Sequence, residues 1–386
     1  MFSDRVPAER EPNRVAAALS RIRGRTPIVD LTVTNPTRVS LPYPRDLLMS
    51  LADPAGLTYV PEPLGLITAR EAVAAEFERR GIRIPARQIV LTASTSEAYS
   101  LLFKLLCDAG AGAVLTPVPS YPLFDHLTRL DGVQQRRYAL DYHGPWTVDF
   151  QIVDRQWTSD TRAVLVVSPN NPTGSVVDHG DMSGLVERCR ARGAALIIDE
   201  VFCDYPLREG LPAPLQSSGC LQFRLGGLSK SAGLPQVKLG WIGVDGPADL
   251  VEEALDRLEL IADTYLSVST PVQCALPRLL HESRPVRDAI LARIRENDRT
   301  LRRMAADLHS LTVLEADAGW SAVVRVPAVS SEETVVLDLL ERGGVLVHPG
   351  FFFDFPSEAF LVVSLLPEQP VFTRGIEIVL ERTRAA

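Results

Sequence analysis

From residue 88 to residue 244 the chain alternates short apolar segments with amphipathic helical patterns. The apolar segments are nearly continuous and rich in β-branched residues, which is typical of strands in a sheet covered on both faces. Strands that alternate with helices form parallel βαβ units. The predicted strands are 88–92, 113–116, 163–167, 194–198, 222–225 and 239–244, with helices at 96–108, 120–131 and 181–192. We therefore expect an α/β fold, with a large domain whose mostly parallel sheet is covered by helices.

A different pattern follows Pro271, where two helical segments precede short strands that alternate with helices. This pattern predicts a second, smaller α+β domain. An early strand near residues 28–33 is expected to join it. The predicted division is an N-terminal arm at 1–26, a small α+β domain formed by 27–50 and 275–386, and a large domain at 51–274.

The composition excludes several classes of protein. Of the 386 residues 23% are charged and the formal net charge is −8, whereas a nucleic-acid-binding protein would show a basic face. The five cysteines lack CxxC spacing, which favours free thiols in a reducing compartment over a disulfide framework or a zinc site. The N-terminus lacks a signal-peptide pattern, and no segment reaches the roughly 20 apolar residues that span a bilayer. We expect a cytoplasmic protein without metal, membrane or nucleic-acid partners.

Polar residues follow the predicted strands, at the sheet edge where open α/β folds bind ligands. Ser94-Thr95-Ser96-Glu97 comes after the first of these strands and opens a helix. The free N–H groups of a helix start, together with hydroxyl groups, can bind an anion. The same four residues also fit a capping box, which needs no ligand.

Three further segments each have a functional and a purely structural interpretation. Tyr121, in a proline-rich loop, is able to stack on a planar ring or to pack in the core. Asn170 and Asn171, between prolines, fit a turn or an amide donor to a ligand. Asp199 ends a buried strand and needs a partner, which a protonated heterocyclic nitrogen, a helix cap or a salt bridge would supply.

Lys230 lies in a run of small residues, 226–235, that lets the backbone approach a ligand. A lysine without a carboxylate in its own loop is a candidate for Schiff-base chemistry. In isolation the pattern is weak, because serine and lysine are common in surface loops.

Taken in this order and spacing, these residues resemble those of the class I and II aminotransferases, enzymes of fold type I that use pyridoxal phosphate. The resemblance runs from about Asp30 to the C-terminus. It implies that Lys230 carries the cofactor as a Schiff base and then moves a proton, and that Asp199 pairs with the pyridinium nitrogen. It also implies that Asn171 hydrogen-bonds the phenolic oxygen of the ring and that Tyr121 stacks on its face.

The same resemblance implies a phosphate site and a homodimer. Thr95 and Ser96 would hold the phosphate, and Ser229 and Lys238 would be further cofactor-binding residues. Tyr59 resembles the tyrosine that reaches the phosphate bound in the other subunit.

The sequence departs from the family around the cofactor. Phe202 stands where the family usually has a tyrosine that donates to the phenolic oxygen, so Asn171 is the main donor left. Lys238 replaces an arginine that grips the phosphate with a planar fork. Gly227 replaces a serine or threonine that donates to the phosphate.

The sequence also departs from the family at the substrate. Val362 stands where the family usually has the arginine that binds the α-carboxylate. Arg38 is our first candidate for a substitute, and Arg325 is a weaker one; the alternative for both is a solvated surface arginine. Trp320 and the phenylalanines at 351–353 are candidates for an apolar substrate pocket or for the core of the small domain.

We expect a homodimeric, pyridoxal-phosphate-dependent aminotransferase that moves an amino group from an amine or amino acid to a keto acceptor. One alternative is a lyase or decarboxylase on the same fold, because the absence of the family's arginine and tyrosine would change how substrate and cofactor are bound. A non-catalytic binding module of the same fold is the third hypothesis, against which the retained Lys230, Asp199 and Asn171 argue.

Overall fold

The computed structural model describes residues 2–7, 11–25, 27–216, 219–266 and 268–384. Residues 1, 8–10 and 26 of the predicted arm, 217–218 and 267 of the predicted large domain, and 385–386 of the small one lie outside the described residues. Within the described ranges the helices are α1 Arg14–Ile22, α2 Ile67–Arg79, α3 Thr95–Leu106, α4 Leu123–Asp131, α5 Phe150–Gln156, α6 His179–Arg192, α7 Leu228–Ser231, α8 Ala248–Tyr265, α9 Thr270–Glu282, α10 Arg284–Ala305, α11 Glu332–Glu341 and α12 Gln369–Arg384.

The strands of the larger sheet come from the first two thirds of the chain, and those of two smaller sheets come mainly from the last third. They are β1 Val29–Asp30, β2 Ile89–Thr92, β3 Ala113–Val118, β4 Gln134–Tyr142, β5 Trp146–Val148, β6 Thr161–Val167, β7 Ala195–Asp199, β8 Gln222–Gly227, β9 Gly240–Asp245, β10 Thr312–Val313, β11 Ser321–Arg325, β12 Val345–Leu346, β13 His348–Pro349 and β14 Phe360–Ser364.

The larger sheet has eight strands in the order β2-β9-β8-β7-β6-β3-β4-β5. Strands β8, β7, β6, β3 and β4 are parallel to one another. Every residue of the central strands β7 and β8 is buried, as the continuous apolar segments predict for strands covered on both faces. The predicted mostly parallel sheet is confirmed.

Strand β9 runs antiparallel to both of its neighbours, unlike the parallel βαβ unit predicted for it. The connection from β8 to β9 contains only the four-residue helix α7. Such a helix is about 6 Å long, whereas a six-residue strand is about 20 Å long. Helix α7 is therefore too short to serve as the crossover helix of a parallel unit, and β9 runs back beside β8.

The C-terminal part of the chain forms a four-stranded antiparallel sheet in the order β10-β11-β14-β13. Buried residues of α10, α11 and α12 join the inner residues of this sheet in one hydrophobic core. The early strand β1 pairs with β12, so residues 29–30 lie beside the C-terminal part. The domain boundaries given above remain a prediction.

The larger sheet brings the polar segments together at one edge. Strands β2, β3, β6, β7 and β8 point the same way, and each is followed at its carboxyl end by one of the segments singled out in the sequence. Among the described residues, no helix combines the length and apolar character needed to cross a bilayer.

Candidate active site

A cavity of about 370 Å³ opens at the carboxyl edge of the larger sheet. Nine of the residues predicted from the sequence line it, and they come from the carboxyl ends of five strands, from the segment before β9 and from the residue before β11. They are Thr95, Ser96, Tyr121, Asn171, Asp199, Ser229, Lys230, Lys238 and Trp320.

Lys230 lies in α7, directly after β8, and its amine is enclosed by aromatic rings. The Nζ atom is 4.8 Å from the ring centre of Trp320 and 5.5 Å from that of Phe202. Burial lowers the pKa of Lys230 to about 8, although the Asp199 carboxylate acts in the opposite direction. A lysine with this pKa has a far larger neutral fraction near neutral pH than a lysine of ordinary pKa, and a nucleophile or base requires the neutral form.

Asp199 ends β7 and is buried at the bottom of the cavity. Its Oδ2 accepts a hydrogen bond from the Tyr99 hydroxyl at 2.6 Å, and its Oδ1 accepts one from the N–H of Val201 at 3.0 Å. Burial raises the pKa of Asp199 to about 6 despite these two donors. No arginine or lysine of the described residues forms a salt bridge with it, so it lacks the close cation that a buried carboxylate needs.

The neighbouring carboxylate, Glu200, has the opposite environment. It accepts from Arg224 at 2.6 Å and from Arg80 at 2.9 Å, and all three side chains are largely buried. Burial alone would raise the pKa of Glu200, but the two guanidinium groups hold it below its usual value. Glu200 is thus neutralised within the protein, and Asp199 is the carboxylate left for a ligand.

The start of α3 serves as a helix cap and also leaves donors free. The Ser94 side chain accepts from the N–H of Glu97 at 3.1 Å, and Glu97 accepts from the N–H of Ala93 at 2.5 Å. The capping interpretation of Ser94 and Glu97 is therefore correct. The N–H groups of Thr95 and Ser96 have no acceptor among the described residues, so they remain available to an anion.

Two features of the backbone at and just before β9 shape the cavity wall next to these N–H donors. A Cβ at Gly240 would lie 3.0 Å from the Thr95 nitrogen, so only glycine lets β9 approach the start of α3 this closely. Lys238, two residues earlier, has a φ of +63°, which is rare for residues with a side chain. Such backbone strain is concentrated at ligand sites, and here it places Lys238 in the cavity wall.

Asn171 and Tyr121 occupy the sides of the cavity. The adjacent Asn170 is fully engaged, because its amide donates to Pro119 and Thr173 and accepts from Ser120. The Asn171 amide, in contrast, has no partner among the described residues. The Tyr121 ring is 44% exposed and contacts Phe124 edge-on, which leaves a face open to the cavity.

Two residues predicted for the substrate and the dimer, and one departure from the family, lie outside the cavity. Arg38 is exposed in the turn Pro36–Arg38 and does not line the cavity. Tyr59 is also outside it and is 63% exposed. Val362 pairs with His348 and Val323 in the smaller sheet and is buried. The only cations among the residues lining the cavity are Lys230 and Lys238.

The sequence reasoning missed Tyr99, which lines the cavity and hydrogen-bonds Asp199. Tyr99 is four residues after Thr95 in α3, and residues with this spacing share one face of a helix. That spacing was available from the sequence. Phe353, by contrast, is buried away from the cavity with Phe355 and Val362, so it belongs to the core.

Comparison with known proteins agrees with the family resemblance of the sequence. The family model of aminotransferase class I and II matches residues 31–369. The alanine aminotransferase of Mycobacterium tuberculosis (strain ATCC 25618 / H37Rv) is 26% identical over 371 residues, which cover 92% of this chain and 84% of that protein. The glutamate-pyruvate aminotransferase AlaA of Escherichia coli (strain K12) is 24% identical and covers 88% of this chain and 86% of its own length.

Solved structures share the fold. An alanine aminotransferase from Pyrococcus furiosus superimposes with a TM-score of 0.85 at 20% identity, over 96% of this chain and 95% of that one. An aspartate aminotransferase from Thermotoga maritima gives a TM-score of 0.84 at 20% identity, over 98% and 99% of the two chains. At these identities the likeness concerns the fold alone, which is that of fold-type-I enzymes.

Proposed function

The chain belongs to the class I and II aminotransferases, and from that premise we propose that it moves an amino group from an amine or amino-acid donor to a keto acceptor with pyridoxal phosphate bound at Lys230. The observation that carries the proposal is the meeting of Lys230, the uncompensated carboxylate of Asp199 and the free donors of α3 in one cavity.

The residues present fit pyridoxal phosphate group by group. The free N–H groups and hydroxyls of Thr95 and Ser96, with Ser229 and the cation of Lys238, suit a phosphate. Asp199 suits a protonated ring nitrogen, and the free amide of Asn171 suits the phenolic oxygen. The open face of Tyr121 suits a flat ring.

When bound, the cofactor supplies an aldehyde that reacts with amines and a ring that takes up electron density. Asp199 would keep the ring nitrogen protonated, and the donors at the start of α3 would hold the phosphate. The Lys230 Nζ would act as the base that takes the α-proton from the donor and carries it away from the donor's α-carbon, because its pKa of about 8 lies close to neutral pH. The rings of Phe202 and Trp320 cover this amine and limit its contact with water.

We also propose that the working unit is a homodimer in which Tyr59 of the partner subunit reaches the phosphate. The exposed segment that carries Tyr59 supports this, since Leu57 is 89% and Tyr59 63% exposed. Large apolar side chains clustered at a surface are typical of an interface.

An acidic substrate group needs a further cation, because Lys230 and Lys238, the two cations among the described residues that line the cavity, are assigned to the cofactor. We propose Arg38 for this role, brought to the cavity by movement or assembly of the chains. An Arg38→Ala variant should raise KM for an acidic substrate about tenfold or more, because a charge-assisted hydrogen bond is lost. An unchanged KM would contradict the assignment.

The experiment that tests the function uses the full chain loaded with pyridoxal phosphate and a panel of amines, amino acids and keto acids. Alanine, glutamate and pyruvate come first, because the relatives are named for them. The keto product of the donor and the amino product of the acceptor should form in equal amounts. A Lys230→Ala variant should be slower by at least about 10³-fold.

The same assay separates the alternatives. A lyase or decarboxylase would release ammonia or carbon dioxide without needing an acceptor, and a binding module would turn over no substrate. Either result would contradict the proposed transfer.

A further inference from the structure

We propose that Tyr99 is a positioning residue for the cofactor, whose hydroxyl holds Asp199 ionised and oriented toward the cofactor's ring nitrogen. The proposal rests on the proposed function, because it assumes that pyridoxal phosphate is bound beside Asp199. Tyr99 lies in α3, whose first residues line the phosphate end of the same cavity.

The geometry favours an ionised Asp199. One carboxylate oxygen accepts the Tyr99 hydroxyl at 2.6 Å, and the other accepts the Val201 N–H at 3.0 Å. An ionised carboxylate only accepts, so it satisfies both donors and keeps lone pairs for a third. If Asp199 were protonated and donated to Tyr99, the Tyr99 hydroxyl would have to turn to another acceptor, and none is found in the described part of the chain.

The Tyr99 side chain is fixed by its surroundings. It is 3% exposed, and its ring lies edge-on to Phe124 at 5.3 Å and tilted to Phe103 at 6.1 Å. Burial, and then Asp199, raises the pKa of Tyr99 well above its usual value, so the hydroxyl remains a donor at every physiological pH. A rigid donor at this place fixes the plane of the Asp199 carboxylate.

The other charged and titratable groups that face Asp199 come from the elements around it. They are Lys230 from α7, Tyr121 from the loop before α4, and Glu200 from its own chain segment. Glu200 is neutralised by Arg80 and Arg224. The proposed function assigns Lys230 to the cofactor. Tyr99 is therefore the side-chain donor that remains on Asp199 both with and without the cofactor.

The test measures the dissociation constant of pyridoxal phosphate from the full chain between pH 5.5 and 8.5. Tyr99→Phe should weaken binding about tenfold at pH 7, the loss typical of a hydrogen bond to a charged group. Without the donor the pKa of Asp199 rises, so the pH below which binding weakens should move upward. Replacing Tyr99 with 3-fluorotyrosine keeps the shape and the donor, and it should bind at least as well as the wild type.

Two controls separate positioning from a general structural role. Tyr138→Phe removes another buried tyrosine hydrogen bond, to the Leu165 carbonyl at 2.8 Å, outside the cavity. It should leave cofactor binding unchanged. In an Asp199→Asn background, Tyr99→Phe should change the dissociation constant less than about twofold, because its effect acts through the charge of Asp199.

The inference is overturned if Tyr99→Phe binds pyridoxal phosphate like the wild type at every pH. It is also overturned if Tyr138→Phe loses as much affinity for the cofactor as Tyr99→Phe does. A third contradicting result is an equal loss of affinity from Tyr99→Phe in the Asp199→Asn background. A fourth is a 3-fluorotyrosine protein that binds as weakly as Tyr99→Phe. A wild-type chain that does not bind pyridoxal phosphate at all would instead contradict the proposed function.

Discussion

Asp199 and Lys230 share one cavity with pKa values displaced toward each other. Burial raises that of Asp199 to about 6 and lowers that of Lys230 to about 8. Between these two pH values both groups are charged, and outside this range one of them is neutral. The cofactor-free site therefore has two costly charges near neutral pH, which a ligand with complementary charges would relieve.

Asp199→Asn should stabilise the cofactor-free protein at pH 8. In the unfolded chain Asp199 has its usual pKa near 3.8, and in the folded chain the pKa is about 6, so the folded state loses stability as the pH rises through this interval. The shift of about two units corresponds to at most about 3 kcal/mol. Urea unfolding should show the gain at pH 8 and none below about pH 4; a less stable variant at pH 8 would argue against the buried-charge account.

Phe202→Tyr should change how the bound cofactor titrates. Phe202 lines the cavity and its ring centre lies 5.5 Å from Lys230 Nζ, so a hydroxyl on this ring would add a donor inside the cavity, which by the family resemblance would serve the phenolic oxygen. A donor stabilises the anionic form of that oxygen. The midpoint of the visible absorbance band in a pH titration should then move by about one unit. An unmoved midpoint would show that Asn171 already satisfies the oxygen.

At the residue level the sequence singled out many of the polar residues that line the cavity, because chemistry at strand ends leaves a local pattern. Lys230, Asp199 and Asn171 each follow an apolar segment, and all three line the cavity. Tyr99 leaves no such pattern, since an aromatic residue in a helix is usually core. Arg38 also follows a short strand, β1, which pairs with β12 in a separate two-stranded sheet; Thr34 of this segment lines the cavity, but Arg38 does not.

Among the elements, the first turn of α3 has two roles, helix capping and ligand binding. We expect its two serines, Ser94 and Ser96, to differ in these roles. Both serines line the cavity, but the Ser94 side chain caps the helix whereas the Ser96 side chain makes no capping hydrogen bond to a described residue. Ser94→Ala should lower the free energy of unfolding by about 1 kcal/mol, the usual value of a lost cap. Ser96→Ala should leave stability within about 0.5 kcal/mol and weaken pyridoxal phosphate binding severalfold. Equal effects of the two variants on both quantities would refute this division.

The elements that the sequence did not predict have identifiable reasons. Strand β4 has few apolar residues, because it lies near the sheet edge and several of its residues are partly exposed. Helix α8 is absent from the predicted elements, although the spacing of Val251, Ala254, Leu258 and Ala262 is that of an amphipathic helix. The antiparallel direction of β9 follows from the short helix α7 before it, and the helix and strand propensities of the residues do not reveal that length.

On the scale of the whole molecule, the proposed dimer makes cofactor binding depend on assembly. Tyr59→Phe should leave the oligomeric state unchanged and weaken pyridoxal phosphate binding about tenfold, because only the hydroxyl that reaches the phosphate is removed. Light scattering gives the mass, and a cofactor titration gives the affinity. A monomeric wild type, or an unchanged affinity in the variant, would rule out the shared site.

The displaced charges of Asp199 and Lys230 also bear on how long the protein lasts in a cell. A ligand that binds the folded state alone stabilises it by about 2.7 kcal/mol when its concentration is 100 times the dissociation constant. Molecules made while pyridoxal phosphate is scarce would unfold more often and be degraded sooner. The abundance of this protein should therefore follow the supply of the vitamin from which its cofactor is made, without any regulator of its gene.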